Sequence, residues 1–170
     1  MGRIFCRGYL GHQLIFVCMA ITYQKELFRN IMSELPELFY AHWVELESHL
    51  AECPIDVDWE RYLKAENLGK LHILTVRDNV VLIGYFFCYV DTSAQSRLVK
   101  RAVSDLLYLK PEYRRKLSGI GIKLIKHAEQ MARDLGAKKL YILGKANASL
   151  KVILGRLQYN LEEEVMSKLL

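Results

Sequence analysis

The sequence predicts one α/β domain in which a mixed sheet carries helices on both faces. Three observations lead there. The 170 residues are 52% hydrophobic and 25% charged, which suits a compact chain with a sizeable core and excludes a disordered or repetitive one. Apolar spacing switches between helical and strand periods in the order helices, hairpin, strand, helix, strand, helix, strand. No linker or break in composition divides the chain.

The elements follow in order. Residues 1–18 read as an extension ahead of a domain over residues 19–170, with Met19 the expected start. Two arginines there precede the apolar run LIFVCMA, which faintly imitates a secretory signal and is too short to span a bilayer, so no membrane partner is expected. From Ala20 a short strand leads into a helix through Leu27, Ile31 and Leu35, interrupted at Pro36. A second helical piece then sets Leu38, His42 and Glu45 on one face. A polar loop, a helix opening between Asp56 and Trp59, and a stop at Gly69 come next. The run LHILTVRDNVVLIGYFFCYV is β-branched and aromatic around Arg77, Asp78 and Asn79, and predicts an antiparallel hairpin. LVKRAVSDLLYL gives a strand ended by Lys110 and Pro111. Residues 119–135 form an amphipathic helix with Ile122, Ile125, Ala128 and Ala132 inward, closed by Gly136. A strand over residues 138–145, a helix capped by Asn147, and a closing strand from Tyr159 complete the domain.

Charge is concentrated. The net charge is +5, and nine Lys or Arg residues fall between residues 97 and 126, against Asp105 and Glu112 as nearby acids. Lys110, Arg114, Arg115 and Lys116 crowd the start of the helix after Gly119. Its unpaired N–H groups and positive dipole make further cations unfavourable unless an anion sits among them. A phosphate resolves the conflict, because Gly119 and Gly121 let phosphate oxygens approach the backbone. The third glycine of a dinucleotide fingerprint is missing, and no Gly-Lys-Ser or Gly-Lys-Thr of a nucleotide P-loop occurs. Cys6, Cys18, Cys53 and Cys88 form neither a CxxC pair nor a zinc pattern, and read as reduced thiols in the cytoplasm. No metal is expected.

The order strand, basic loop with Gly-x-Gly, long helix, strand, Asn-led helix resembles the GCN5-related N-acetyltransferase (GNAT) family. LYLKPEYRRKLSGIG is similar to the family's strand and pyrophosphate loop, with Lys116 where Arg or Gln is usual and Arg114 or Arg115 as alternatives if the loop is longer. NASLKVILGRLQY resembles the family's segment of Asn, an aromatic pair and Leu-Gly-Phe, matching Asn147 and Leu157-Gln158-Tyr159. Ile153 and Leu154 replace the aromatic pair, and Leu154 stands where a tyrosine commonly protonates the departing thiolate. AITYQKELFRNIMSELPELFYAHWVELE and WERYLKAENLGKLHILTVRDNVVLIGYFFCYV resemble the opening of a subgroup of these proteins found in tailed bacteriophages, with agreement in character from about Ala20 to the C-terminus, which implies a phage or prophage protein in the bacterial cytoplasm.

The resemblance implies a mostly antiparallel GNAT-type sheet and acetyl-CoA as cofactor. It also implies direct attack by an amine in a ternary complex. Leu107, Tyr108 and Leu109 would pair with the pantetheine arm through their backbone, with the Leu109 N–H facing the thioester oxygen. Arg114, Arg115, Lys116, Leu117, Ser118, Gly119, Ile120 and Gly121 would wrap the pyrophosphate, and Asn147 completes the cofactor set. The amine needs a base. Asp105, a charge in an apolar strand with the parity of Leu107 and Leu109, is the first candidate, and a salt bridge to Arg101 or an edge position in solvent is its structural alternative. Glu45 and His42, one turn apart, are the others. The general acid is open among Tyr108, Tyr141 and Tyr159. Rival functions are a catalytically weak CoA-binding protein and a nucleic-acid-directed modifier, the latter suggested by residues 97–101 and less favoured. The acceptor, a small molecule or a protein amine, and the oligomeric state, a homodimer included, are open.

Overall fold

The computed structural model describes residues 7–10, 13–16, 20–47, 49–93, 95–116, 119–144 and 148–169. Strands β1 (Arg7–Leu10) and β2 (Gln13–Phe16) form a separate antiparallel hairpin, and the other strands make a five-stranded sheet in the order β3-β4-β5-β6-β7. These are β3 (Ile21–Glu26), β4 (Leu71–Asp78), β5 (Val81–Ser93), β6 (Ser96–Leu109) and β7 (Ala137–Tyr141). All neighbours are antiparallel except β6 and β7.

The sheet separates two apolar clusters, as its alternating side chains require. On one face α5 (Ile120–Asp134) buries Ile120, Leu124, Ile125, Ala128, Met131 and Ala132. Leu74, Ile83, Phe86 and Ala102 meet that helix from the sheet. Ile122, expected inward, is only half-buried; Leu124 and Met131 carry the stripe. On the other face lie α1 (Phe28–Ile31), α2 (Leu35–Leu46) and α3 (Trp59–Asn67), with Phe28, Leu35, Leu38 and Phe39 packed on Ile73, Tyr85, Phe87 and Tyr108. Pro36 does not stop the early helix. It occupies the first turn of α2, where no intrahelical N–H is needed, after a short 3-10 turn over Met32–Glu34. Asp58 caps α3 by accepting from the Arg61 N–H at 2.9 Å. Arg77 on β4 ties this face to β3, reaching Glu34 at 2.8 Å and Glu26 at 3.0 Å. Among the described residues, no helix is long and apolar enough to cross a membrane.

Three further expectations change. Residues 111–116, read as loop, form the helix α4 (Pro111–Lys116), with Pro111 at a position that suits its fixed φ. Among the described residues the chain after Tyr159 makes no strand, since Glu162, Glu163 and Glu164 sit where a ladder residue should favour β structure. Asp105 does not share a face with Leu107 and Leu109. Phe87 pairs with Leu106 and Cys88 with Ser104, so Asp105 is the extra residue of a β-bulge. The bulge shifts the alternation, and Asp105 reaches Tyr62 on the α1–α3 face, while Leu107 and Leu109 pack on the α5 face.

Candidate functional site

Strands β6 and β7 run together only from Lys100 and Ala137 to Val103 and Tyr141. Beyond that point the Ser104 hydroxyl accepts the Leu143 N–H at 2.7 Å, and the strands part. The N–H of Lys110 donates to the Ile83 carbonyl at 2.9 Å. By alternation of an antiparallel ladder, Tyr108 also bonds toward β5, and Leu107 and Leu109 turn their N–H and C=O groups away from β5 into the fork. The β5–β6 contact is close. A Cβ on Gly84 would lie 2.7 Å from the Tyr108 carbonyl oxygen, so only glycine lets the strands approach there.

Directly after this edge comes the start of α5. Gly119 is its N-cap at φ 110°, a left-handed conformation that favours glycine, and it makes no side-chain capping bond. The first intrahelical donor is the Lys123 N–H, to Gly119 at 2.8 Å, so by helix geometry the amides of Ile120, Gly121 and Ile122 point outward. The helix start is fixed to the sheet, because the Tyr23 hydroxyl donates to the Ile120 carbonyl at 3.2 Å and the Tyr113 hydroxyl to Asp78 at 3.0 Å. Of the other residues expected at the phosphates, Arg115 and Lys116 are described as α4 backbone only. Leu117, Ser118 and Asn147 lie outside the described residues.

Arg114 turns to the opposite face. Its guanidinium pairs with Glu45 at 2.8 Å, donates to the Leu109 carbonyl at 2.5 Å and lies 5.3 Å over the Tyr108 ring. The His42 ring lies 4.9 Å from that of Tyr108, and its Nδ1 is 3.0 Å from the Tyr85 hydroxyl. Burial, helped by the Arg114 charge, pushes the His42 imidazole down to about 4. His42 is therefore neutral at physiological pH. Its unfolded counterpart takes up a proton near 6.5, so the unfolded chain binds more protons in the window between. Stability should accordingly fall by about 3 kcal/mol as pH drops from 6.5 to 4. Denaturant melts across that range should show the step, and His42→Gln should flatten it.

Asp105 is exposed, and its carboxylate accepts from the Tyr62 hydroxyl at 2.7 Å. Among the described residues no ion pair joins it to Arg101. Tyr62 and Tyr85 were not anticipated. Tyr62 follows Trp59 by one helical turn and reads as core, and only the fold shows its hydroxyl on the bulge. Of the tyrosines weighed as proton donors, Tyr159 donates to Glu129 at 3.2 Å, and Tyr108 packs among His42 and Tyr85. Tyr141 ends β7 at the fork. Leu154 is half-buried on α6 (Ala148–Arg156). Burial pushes the Cys88 thiol up to about 12, consistent with a structural role. Among the described residues no group of three His, Cys, Asp or Glu side chains is arranged to hold a metal ion.

The arrangement offers a backbone edge that no neighbouring strand pairs, a glycine-capped helix start beyond it, and a carboxylate on the bulge where the strands part. Residues 29–152 match the model of the acetyltransferase (GNAT) family. Among solved structures, the chain is similar to an aminoglycoside acetyltransferase from an uncultured soil metagenomic sample in complex with sisomicin, at 18% identity and TM-score 0.65, covering 88% of this chain and 95% of that one. It is similar to ribosomal-protein-alanine N-acetyltransferase from Brucella melitensis biovar Abortus 2308, at 14% identity and TM-score 0.63 over 89% of this chain and 100% of that one. A predicted acetyltransferase with acetyl-CoA from Clostridium acetobutylicum gives 12% identity and TM-score 0.67, covering 88% and 96%. At these identities the likenesses show a shared fold. No curated protein matches the chain.

Proposed function

The chain belongs to the acetyltransferase (GNAT) family, and from that premise we propose that it transfers acetyl from acetyl-CoA to an amine nitrogen by direct attack in a ternary complex. The observation that carries the reading is the parting of β6 from β7 immediately ahead of the glycine-capped start of α5. Those residues fit the cofactor. Backbone groups of Leu107 and Leu109 face the fork, Tyr108 holds the strand to β5, and the Ile120 and Gly121 amides suit phosphate oxygens. In this reading Arg115, Lys116, Leu117, Ser118 and Asn147 complete the binding set, whereas Arg114 fixes Glu45 and occupies the Leu109 carbonyl, leaving the Leu109 N–H for the ligand.

Bound there, acetyl-CoA would supply an acetyl group activated as a thioester, with a thiol that leaves readily. The chain's own residues would do the rest. Asp105 would take the proton from the acceptor ammonium, directly or through water, and Tyr62 would hold that carboxylate in place. His42 is too weakly basic and too buried for the same task, and Glu45 is engaged by Arg114. The Leu109 N–H would face negative charge as it develops on the carbonyl oxygen. The reading includes a single domain from Met19 and a bacteriophage-type member in a bacterial cytoplasm, supported by the likeness of the opening helices to that subgroup.

Calorimetric titration tests the proposal. Acetyl-CoA should bind saturably to the wild type and not to Gly121→Glu, and no heat at millimolar ligand would overturn it. A second reading, a member that binds acetyl-CoA with little turnover, is favoured by Leu154, which has no proton to donate. It differs in giving the same binding without release of free thiol in the presence of any amine.

A further inference from the structure

We propose that the acceptor amine carries an anionic group, a carboxylate or a phosphate, and that Arg61 and Arg101 receive it beside Asp105. The proposal deepens the acetyl-transfer reading and rests on it. Cross-strand register sets the surface out in rows on the α1–α3 face. Asp91, Arg101 and Lys139 lie side by side on β5, β6 and β7, and Tyr89, Val103 and Tyr141 form the next row toward the fork. Asp105 follows on the bulge, with Tyr62 over it. Arg101 and Asp105 are thus separated by roughly 13 Å of strand, across a floor of two tyrosines and a valine. A small acceptor spans that interval with its amine at Asp105 and its anion toward the arginine.

The charges single out the arginines. Lys70 pairs with Asp91 at 2.5 Å and Lys139 with Glu162 at 2.6 Å, so those four cancel. Among the described residues neither Arg61 nor Arg101 has a carboxylate within ion-pair distance. Arg101 lies between Asp91 on β5 and Lys139 on β7, each of which is engaged in an ion pair of its own. Arg61 belongs to α3, beside Tyr62. The Tyr62 hydroxyl donates to Asp105 at 2.7 Å, which sets the adjacent Arg61 at the same end of the surface. Guanidinium groups offer paired donors matched to carboxylate and phosphate oxygens. The site therefore holds one carboxylate for the amine and two guanidiniums for the rest of the molecule.

The test measures thiol release from acetyl-CoA with matched acceptors: β-alanine against propylamine, 3-aminopropyl phosphate against 3-aminopropanol, and spermidine. The anionic member of each pair should show kcat/KM roughly ten- to a hundredfold above its neutral partner. The two pairs together tell carboxylate from phosphate. Arg61→Gln with Arg101→Gln should collapse that preference mainly through KM, and Arg101→Lys should restore part of it, while calorimetry shows acetyl-CoA still bound. Equal or better use of neutral amines or spermidine, or a preference that survives the double substitution, overturns the acceptor assignment alone. Failure to bind acetyl-CoA removes the acetyl-transfer reading and this inference with it.

Discussion

Replacing Asp105 with asparagine should lower kcat/KM for acetyl transfer by ~10²–10⁴-fold at neutral pH, with acetyl-CoA affinity retained. The substitution is nearly isosteric, and the amide oxygen still accepts from the Tyr62 hydroxyl that lies 2.7 Å from the carboxylate. Basicity is what is lost. An ammonium acceptor must give up a proton before its nitrogen can attack, and a loss of that size is about 3–5 kcal/mol of barrier. Because Asp105 is exposed and unpaired in the β-ladder, the fold asks little of it. A variant within threefold of wild type would remove Asp105 as the base and turn attention to Glu45.

Gly121→Glu should abolish acetyl-CoA binding, at least a hundredfold in Kd, without unfolding the protein. Gly119 is the N-cap of α5, so Gly121 is its second residue, where a glutamate is favourable to the helix dipole. A Cβ added at Gly121 meets only a methyl group of Leu109, at 3.8 Å, an ordinary contact. Replacing glycine inside a helix also gains about 0.5–1 kcal/mol. The variant should therefore melt at or above the wild-type temperature while its carboxylate occupies the place of the phosphate. That combination separates lost binding from lost structure. A variant that melts normally and still binds acetyl-CoA would show that the ligand's phosphates lie elsewhere.

The order of elements was legible because each announces itself locally. Helical spacing ending at Gly136 marks α5, Asp58 caps α3, and β-branched and aromatic runs mark β4 and β5. The glycine-capped start of α5 was legible for the same reason, since a left-handed residue before a helix restricts the choice of side chain. What escaped depends on partners distant in sequence. Nothing near Asp105 states that β5 will pair past it, yet that bulge decides which face its carboxylate occupies. Tyr62 lies 43 residues from Asp105, and Arg114 finds Glu45 across 69, so neither pairing has a local signature. At Pro111 the sequence predicts the end of a strand and the opening of a loop, whereas the residue also begins a helix, and proline suits both positions.

Backbone hydrogen exchange at single-residue resolution, with and without saturating acetyl-CoA, tests the central claim most directly. The amides of Leu107 and Leu109 on the open edge of β6, and of Ile120, Gly121 and Ile122 at the start of α5, should slow together when the ligand is added, ahead of any other group. Slowing confined to other segments, while calorimetry shows acetyl-CoA bound, would contradict the account.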